Sequence, residues 1–194
     1  MLVTDDRLLG GRDLVALALA AERGGATSVQ VRLKRASPRE QLARASALVA
    51  ALRIPVLVND RPDIALAAGA AGVHLGPDDL PVALARRVGP PGFIIGASVG
   101  AMDEADAAVE ADYWGIGPWR ATATKWDAGE ALGAEGFRRL VKLGGGKPCL
   151  AIGAVRPEDV PVVLAAGGSG VAVVSGILGE EDVEWATRRY ATSA

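Results

Sequence analysis

The segment Gln30-Val31-Arg32-Leu33-Lys34 alternates at the two-residue period of a strand, so Gln30, Arg32 and Lys34 share one face. Cations on an inward strand face need an anion opposite them or a place near the rim. An anionic ligand meets both conditions. The structural alternative pairs Arg32 with a carboxylate such as Asp60 and leaves Lys34 solvated. Asn59-Asp60 and Asp78-Asp79 follow two later apolar runs. Carboxylates at the ends of consecutive strands can converge on one hard cation, and Mg²⁺ favours a few carboxylates plus substrate phosphate oxygens. Asp60 with Asp79 is the pair that spacing suggests. Asp78 is the alternative ligand, and a turn role for Asp60 or an N-cap role for Asp79 competes with metal binding.

Thr122-Ala123-Thr124-Lys125 brings two hydroxyls and a cation to the longest connection in the chain, Pro118–Ala134. Connections of that length are usually functional, and a lid that expels water suits an easily hydrolysed intermediate. Gly153 and Val174-Ser175-Gly176 follow the last two apolar runs. Backbone N–H groups after the seventh and eighth strands of a barrel commonly bind phosphate, although the glycines would also serve plain turns. Thr4-Asp5 and Ser98 complete a ring of polar strand ends.

Other residues carry weaker signals. His74, the only histidine, has no second histidine with which to build a metal site and reads as a packed or rim residue. Cys149 opens an apolar strand and reads as a small core residue. Gly144-Gly145-Gly146-Lys147 lacks the spacing of a phosphate loop and reads as a turn. Trp114 belongs to a packed layer, whereas Trp119 and Trp126 either close over a substrate or pack the long loop down.

The elements that must position these residues are legible as period. Leu2–Thr4, Ser28–Leu33, Pro55–Val58, Gly72–Leu75, Phe93–Ala97, Tyr113–Ile116, Cys149–Ile152 and Gly170–Val174 read as strands, each followed by a segment with helical spacing. Ser37-Pro38-Arg39-Glu40 is a capping box, and Pro62-Asp63, Asp103-Glu104 and Pro157-Glu158-Asp159 place Pro or acids at helix starts. Gly24-Gly25, Gly69, Gly144–Gly146 and Gly167-Gly168 supply stops. Eight βα units without a composition break predict an α/β fold, a single (β/α)8 TIM barrel over residues 1–194. An open doubly wound sheet, with five or six strands, would leave two units over.

Composition narrows the partners. Half of the 194 residues are hydrophobic, and 21 Lys+Arg against 23 Asp+Glu give a net charge of −2, so the broad basic field of a nucleic-acid binder is missing. Apolar runs are broken well short of a membrane span, and the acidic start argues against a targeting segment. One cysteine excludes an internal disulfide framework and fits a cytoplasmic setting. The expected partners are small phosphorylated molecules, with a homo-oligomer left open.

In order and spacing, Leu2–Asp5, Val29–Lys34, Asn59-Asp60-Arg61, Gly72–Gly76 through Asp79, Gly115–Pro118, Thr122–Lys125 and Val171–Ser175 resemble the thiamine phosphate synthase family, almost end to end. The resemblance implies a transferase of thiamine biosynthesis that joins hydroxymethylpyrimidine diphosphate to thiazole phosphate and releases pyrophosphate. It implies that Gln30, Val31, Arg32, Leu33, Lys34, Asn59, Ser98 and Lys125 bind the pyrimidine diphosphate, with Arg32, Lys34, Lys125 and Ser98 catalytic. Mg²⁺ would sit on Asp60 and Asp79, and thiazole phosphate against Thr122, Ala123, Thr124, Gly153, Ala154, Val174 and Ser175. The implied mechanism is dissociative, through a pyrimidine carbocation captured by the thiazole nitrogen, and needs no protein nucleophile. The chain departs from the family at Ala154, where a glycine is common, and at Pro77, Gly100 and Trp119-Arg120. The related thiazole tautomerases use a histidine in the loop after the sixth strand, where this chain reads Gly117-Pro118-Trp119-Arg120. A non-catalytic sensor of phosphorylated ligands is the reading from a different class.

Overall fold

Short Val- and Ile-rich runs separated by Ala/Leu/Arg helices fold into parallel strands covered by helices. The computed structural model describes residues 1–121 and 129–193. Its strands are β1 (Leu2–Val3), β2 (Val29–Val31), β3 (Val56–Asn59), β4 (Gly72–Leu75), β5 (Ile94–Val99), β6 (Tyr113–Ile116), β7 (Cys149–Ile152) and β8 (Gly170–Ala172). They pair in sequence order, every pair parallel. The Val3 amide donates to the Val173 carbonyl at 2.9 Å and the Val173 amide to the Met1 carbonyl at 3.0 Å, which brings the two ends of the sheet together. The expected (β/α)8 barrel is therefore the observed one.

The described helices are α1 (Asp6–Leu9), α2 (Leu14–Arg23), α3 (Pro38–Ala51), α4 (Pro62–Ala68), α5 (Val82–Val88), α6 (Gly133–Leu143), α7 (Val160–Ala165), α8 (Ser175–Leu178) and α9 (Val183–Ala191). The capping box of α3 forms as its spacing requires: Ser37 Oγ accepts the Glu40 amide, and Glu40 takes the Ser37 amide at 2.9 Å.

Asp103-Glu104 does not begin an α-helix. Only a 3-10 turn, Met102–Glu104, forms there, followed by further turns. The Glu104 carboxylate is occupied by the Gly100 amide at 2.6 Å, and the Ala108 carbonyl is taken by the Trp114 indole at 2.9 Å. The backbone bonds from Ala108 to Ala105 and from Val109 to Asp106 keep i to i−3 spacing.

Strand register decides which residues can meet. Val29, Val31, Leu33, Val56, Val58, Val73, Leu75, Ile95 and Ala97 belong to the apolar core shared with the helices. The alternate positions face the other way, into the barrel, and they are in register: Gln30 with Leu57, Asn59 with His74, His74 with Gly96, Gly96 with Tyr113, and Ser98 with Gly115. The outer layer is thus aliphatic and the barrel interior carries the polar groups.

Candidate active site

On the rim after β1 to β4, cations and carboxylates interlock. Arg32 Nη1 donates to Asp5 at 2.8 Å, with both side chains largely buried. Thr4 Oγ1 accepts the Arg32 amide at 2.8 Å and fixes the strand end that carries the guanidinium. Lys34 Nζ is bound to Asp60. The alternative drawn from sequence, Arg32 on Asp60 with Lys34 solvated, is corrected: Asp5, at the end of the neighbouring strand, takes Arg32 and leaves Asp60 to Lys34. Val31 and Leu33 lie in the outer apolar core, so they bring backbone rather than side chains to this rim.

Asp79 is half-buried whereas Asp78 is exposed, which separates the two candidate ligands. The N-cap position of α5 is Pro81, without a side-chain cap, so Asp79 does not cap that helix. Its carboxylate instead accepts the Gly76 amide at 2.7 Å. Asp60 stands at φ 65°, in the left-handed region, with its amide donated to the His74 carbonyl at 2.8 Å. Burial, and then a hydrogen bond shared with Asp60, push the Asp79 carboxyl up to about 6. Asp5, Asp60 and Asp79 outnumber Arg32 and Lys34 in this part of the rim. Two carboxylates at the ends of consecutive strands are hard oxygen donors of the kind Mg²⁺ takes in small number, the rest of its shell coming from water or ligand oxygens.

Below this rim a polar chain crosses the barrel. Tyr113 Oη lies 2.9 Å from His74 Nδ1, and His74 Nε2 lies 3.0 Å from Ser98 Oγ. Burial raises the Tyr113 phenol well above its ordinary value, against a hydrogen bond from the Gln30 side chain that lowers it. The chain Gln30–Tyr113–His74–Ser98 therefore joins two of the expected ligand residues through Tyr113, which the sequence did not single out, and His74, expected only as a packed or rim residue. A signal for them was present: a Cβ on Gly96 would fall 2.1 Å from the Tyr113 ring, so the strand glycine marks the space that the ring fills. His74 is packed, as expected, and its packing is against the site.

On the side of β7 and β8, Gly153, Ala154 and Val155 form one wall of a pocket and Val173, Val174, Ser175 and Gly176 the other. Gly153 has φ 97° and Ala154 φ 51°, so the turn bends through two left-handed residues. The first amides of α8 have no acceptor within the helix. Thr122, Ala123, Thr124, Lys125 and Trp126 lie outside the described residues. Trp119 is buried edge-on against Phe137, with ring centroids 5.6 Å apart, and packs the start of the long connection down. Cys149 is fully buried, and burial pushes its thiol up to about 11, so it is the inert core residue expected.

A family model described as thiamine monophosphate synthase matches residues 1–177. The chain belongs to the thiamine monophosphate synthase family. Among its relatives, the thiamine-phosphate synthase of Azorhizobium caulinodans is 45% identical over 199 residues, covering 98% of this chain and 92% of that protein. The thiamine-phosphate synthase of Xanthobacter autotrophicus is 47% identical over 192 residues, covering 96% and 90%. Among solved structures, thiamine phosphate pyrophosphorylase from Pyrococcus furiosus superimposes with a TM-score of 0.87 at 36% identity, covering 99% of this chain and 93% of that one. A 3-hexulose-6-phosphate synthase, 18% identical with a TM-score of 0.72, shares the fold alone. Membership of the thiamine monophosphate synthase family makes this chain a transferase of thiamine biosynthesis, as its resemblance implied. Among the described residues no helix is long and apolar enough to cross a membrane.

Proposed function

We propose that the enzyme joins hydroxymethylpyrimidine diphosphate to thiazole phosphate: the bond from the pyrimidine methylene carbon to the diphosphate oxygen breaks, and a bond from that carbon to the thiazole nitrogen forms. Pyrophosphate and thiamine phosphate are the products. The observation that carries this reading is the Asp60–Asp79 carboxylate pair beside Arg32 and Lys34 on one rim, with the Gly153–Ser175 pocket further round it.

Asp60 and Asp79 would hold Mg²⁺, which when bound supplies positive charge to the leaving diphosphate. Arg32 and Lys34, paired with Asp5 and Asp60 in the free protein, exchange those partners for diphosphate oxygens as the substrate enters. As the carbon–oxygen bond lengthens, negative charge grows on the diphosphate, and preorganised cations stabilise that charge more than they stabilise the ground state. Lys125 adds a third cation from the long connection. Gln30, Asn59 and Ser98 orient the pyrimidine, Ser98 being held by His74. Thr122, Ala123 and Thr124, with the amides around Gly153, Ala154, Val174 and Ser175, seat the thiazole phosphate so that its ring nitrogen meets the carbocation before water does.

Purified protein supplied with both phosphorylated halves and Mg²⁺ should release pyrophosphate and thiamine phosphate in equal amounts, and chelator should stop both. Folded protein that releases neither product under these conditions overturns the reading.

A further inference from the structure

A second ionic device lies outside the rim just described. Arg120 forks onto Asp159, with Nη2 donating to Oδ1 at 2.6 Å and Nη1 to Oδ2. Asp159, only 5% exposed, also accepts the Arg156 amide at 2.8 Å through Oδ2. Burial alone would raise this carboxyl, but the Arg120 guanidinium and the Arg156 amide outweigh it and hold the group below its ordinary range. The backbone of the same stretch is tied to the end of β7: the Trp119 amide donates to the Ile152 carbonyl at 2.7 Å, and the Arg120 amide to the Gly153 carbonyl at 3.0 Å.

Between these two anchors run Gly153, Ala154 and Val155, one whole wall of the pocket after β7 and β8. The turn needs holding, because Ala154 sits in the left-handed region without a glycine's freedom. The other wall is keyed to the first by Tyr190, whose hydroxyl donates to the Val155 carbonyl at 3.1 Å. A Cβ on Gly176 would fall 2.1 Å from that same hydroxyl oxygen.

We infer that Arg120 and Asp159 are positioning residues that clamp the Gly153–Val155 turn in the shape that receives the phosphate of the second substrate. The inference rests on the synthase reading above. Burying the Asp159 carboxylate offsets much of what its pairing with the half-exposed Arg120 gains, so the pair is a poor source of stability. Its directional fork does fix a geometry. Arg120 touches no reacting atom; it acts through the Gly153 carbonyl and through Asp159, and it stands two residues before Thr122 in the chain.

Steady-state kinetics of Arg120→Met, Arg120→Lys and the double variant Arg120→Met/Asp159→Asn test the clamp. KM for thiazole phosphate should rise about tenfold or more in Arg120→Met, while KM for the pyrimidine diphosphate stays within about twofold. Arg120→Lys keeps the charge but not the fork and should fall between. The double variant leaves no unpaired buried charge, so it carries the test should Arg120→Met fail to fold. A loss of folded protein alone would lower apparent kcat and leave KM unmoved. An unchanged KM for thiazole phosphate in the folded double variant therefore overturns the clamp while the synthase reading stands. Should the wild type not turn over, the synthase reading falls, and calorimetric titration with thiazole phosphate reads the clamp instead: weaker binding in the variants supports it. Equal binding, or no binding by the wild type, overturns it.

Discussion

Asp79 illustrates how a single residue ties charge to stability and to ligand. Its carboxyl ordinarily ionises at 3.8 and is pushed up to about 6 by burial and by Asp60. The native state therefore holds this proton more tightly than the unfolded chain does, and between those values the native state binds more protons. The stability from this group is complete below about pH 4 and is lost as pH rises through about 6. On the proposed reading, Mg²⁺ binds the ionised form. It should raise the melting temperature of the free protein above pH 6 and progressively less below it. Thermal melts across pH with and without Mg²⁺ check this, and a Mg²⁺ effect that does not vary with pH would contradict it. Asp78 and Asp79 look alike in sequence, and only the fold distinguishes them. The Gly76 amide selects Asp79 and leaves Asp78 in solvent. The pairing of Arg32 with Asp5, and of Lys34 with Asp60, was hidden for the same reason, because Asp5 comes beside Arg32 only through the pairing of β1 with β2.

At the scale of elements, the strand ends do the work and the strand interiors make room for it. Gly96 on β5 leaves space for the Tyr113 ring on β6, and through it for His74 and Ser98. Gly96→Ala should cost roughly 1–3 kcal/mol of stability, because the added methyl must displace a ring held inside a closed barrel. Urea unfolding reads that loss, and an unchanged midpoint would show that the barrel yields there. The turn after β7 makes the opposite case. Ala154 at φ 51° carries a cost of about 1–2 kcal/mol for a left-handed L-residue, against roughly 0.5–1 kcal/mol of chain entropy that a glycine would add. Ala154→Gly should therefore stabilise the protein by roughly 0.5–1 kcal/mol in urea unfolding, and destabilisation would contradict the strain. The strands were legible because each is a short apolar run bounded by turn residues. The segment after β5 was not, because its acids and its Ala108 carbonyl are claimed by partners beyond the local pattern. The Arg120–Asp159 fork was equally hidden, since its members are 39 residues apart and meet only when β6 and β7 lie side by side.

For the whole molecule, a net charge of −2 conceals a strong separation of roles. The layer between barrel and helices is aliphatic, built from residues such as Val31, Val58, Val73 and Ile95, while the inward register carries Gln30, Asn59, His74, Ser98 and Tyr113. Near-neutrality overall is compatible with the proposed binding of two anionic substrates, because Arg32 and Lys34 are local to one rim. The central claim is that the Asp60–Asp79 pair delivers a dication to a departing diphosphate. The most direct measurement is pyrophosphate release as Mg²⁺ is titrated into the wild type, Asp60→Asn and Asp79→Asn. Saturable Mg²⁺ activation is expected in the wild type, with rates lower by about a hundredfold or more in each folded variant, in keeping with the several kcal/mol that a bound dication contributes. Wild-type turnover at full rate in chelator, or variants that keep both the wild-type rate and its Mg²⁺ dependence, would contradict it.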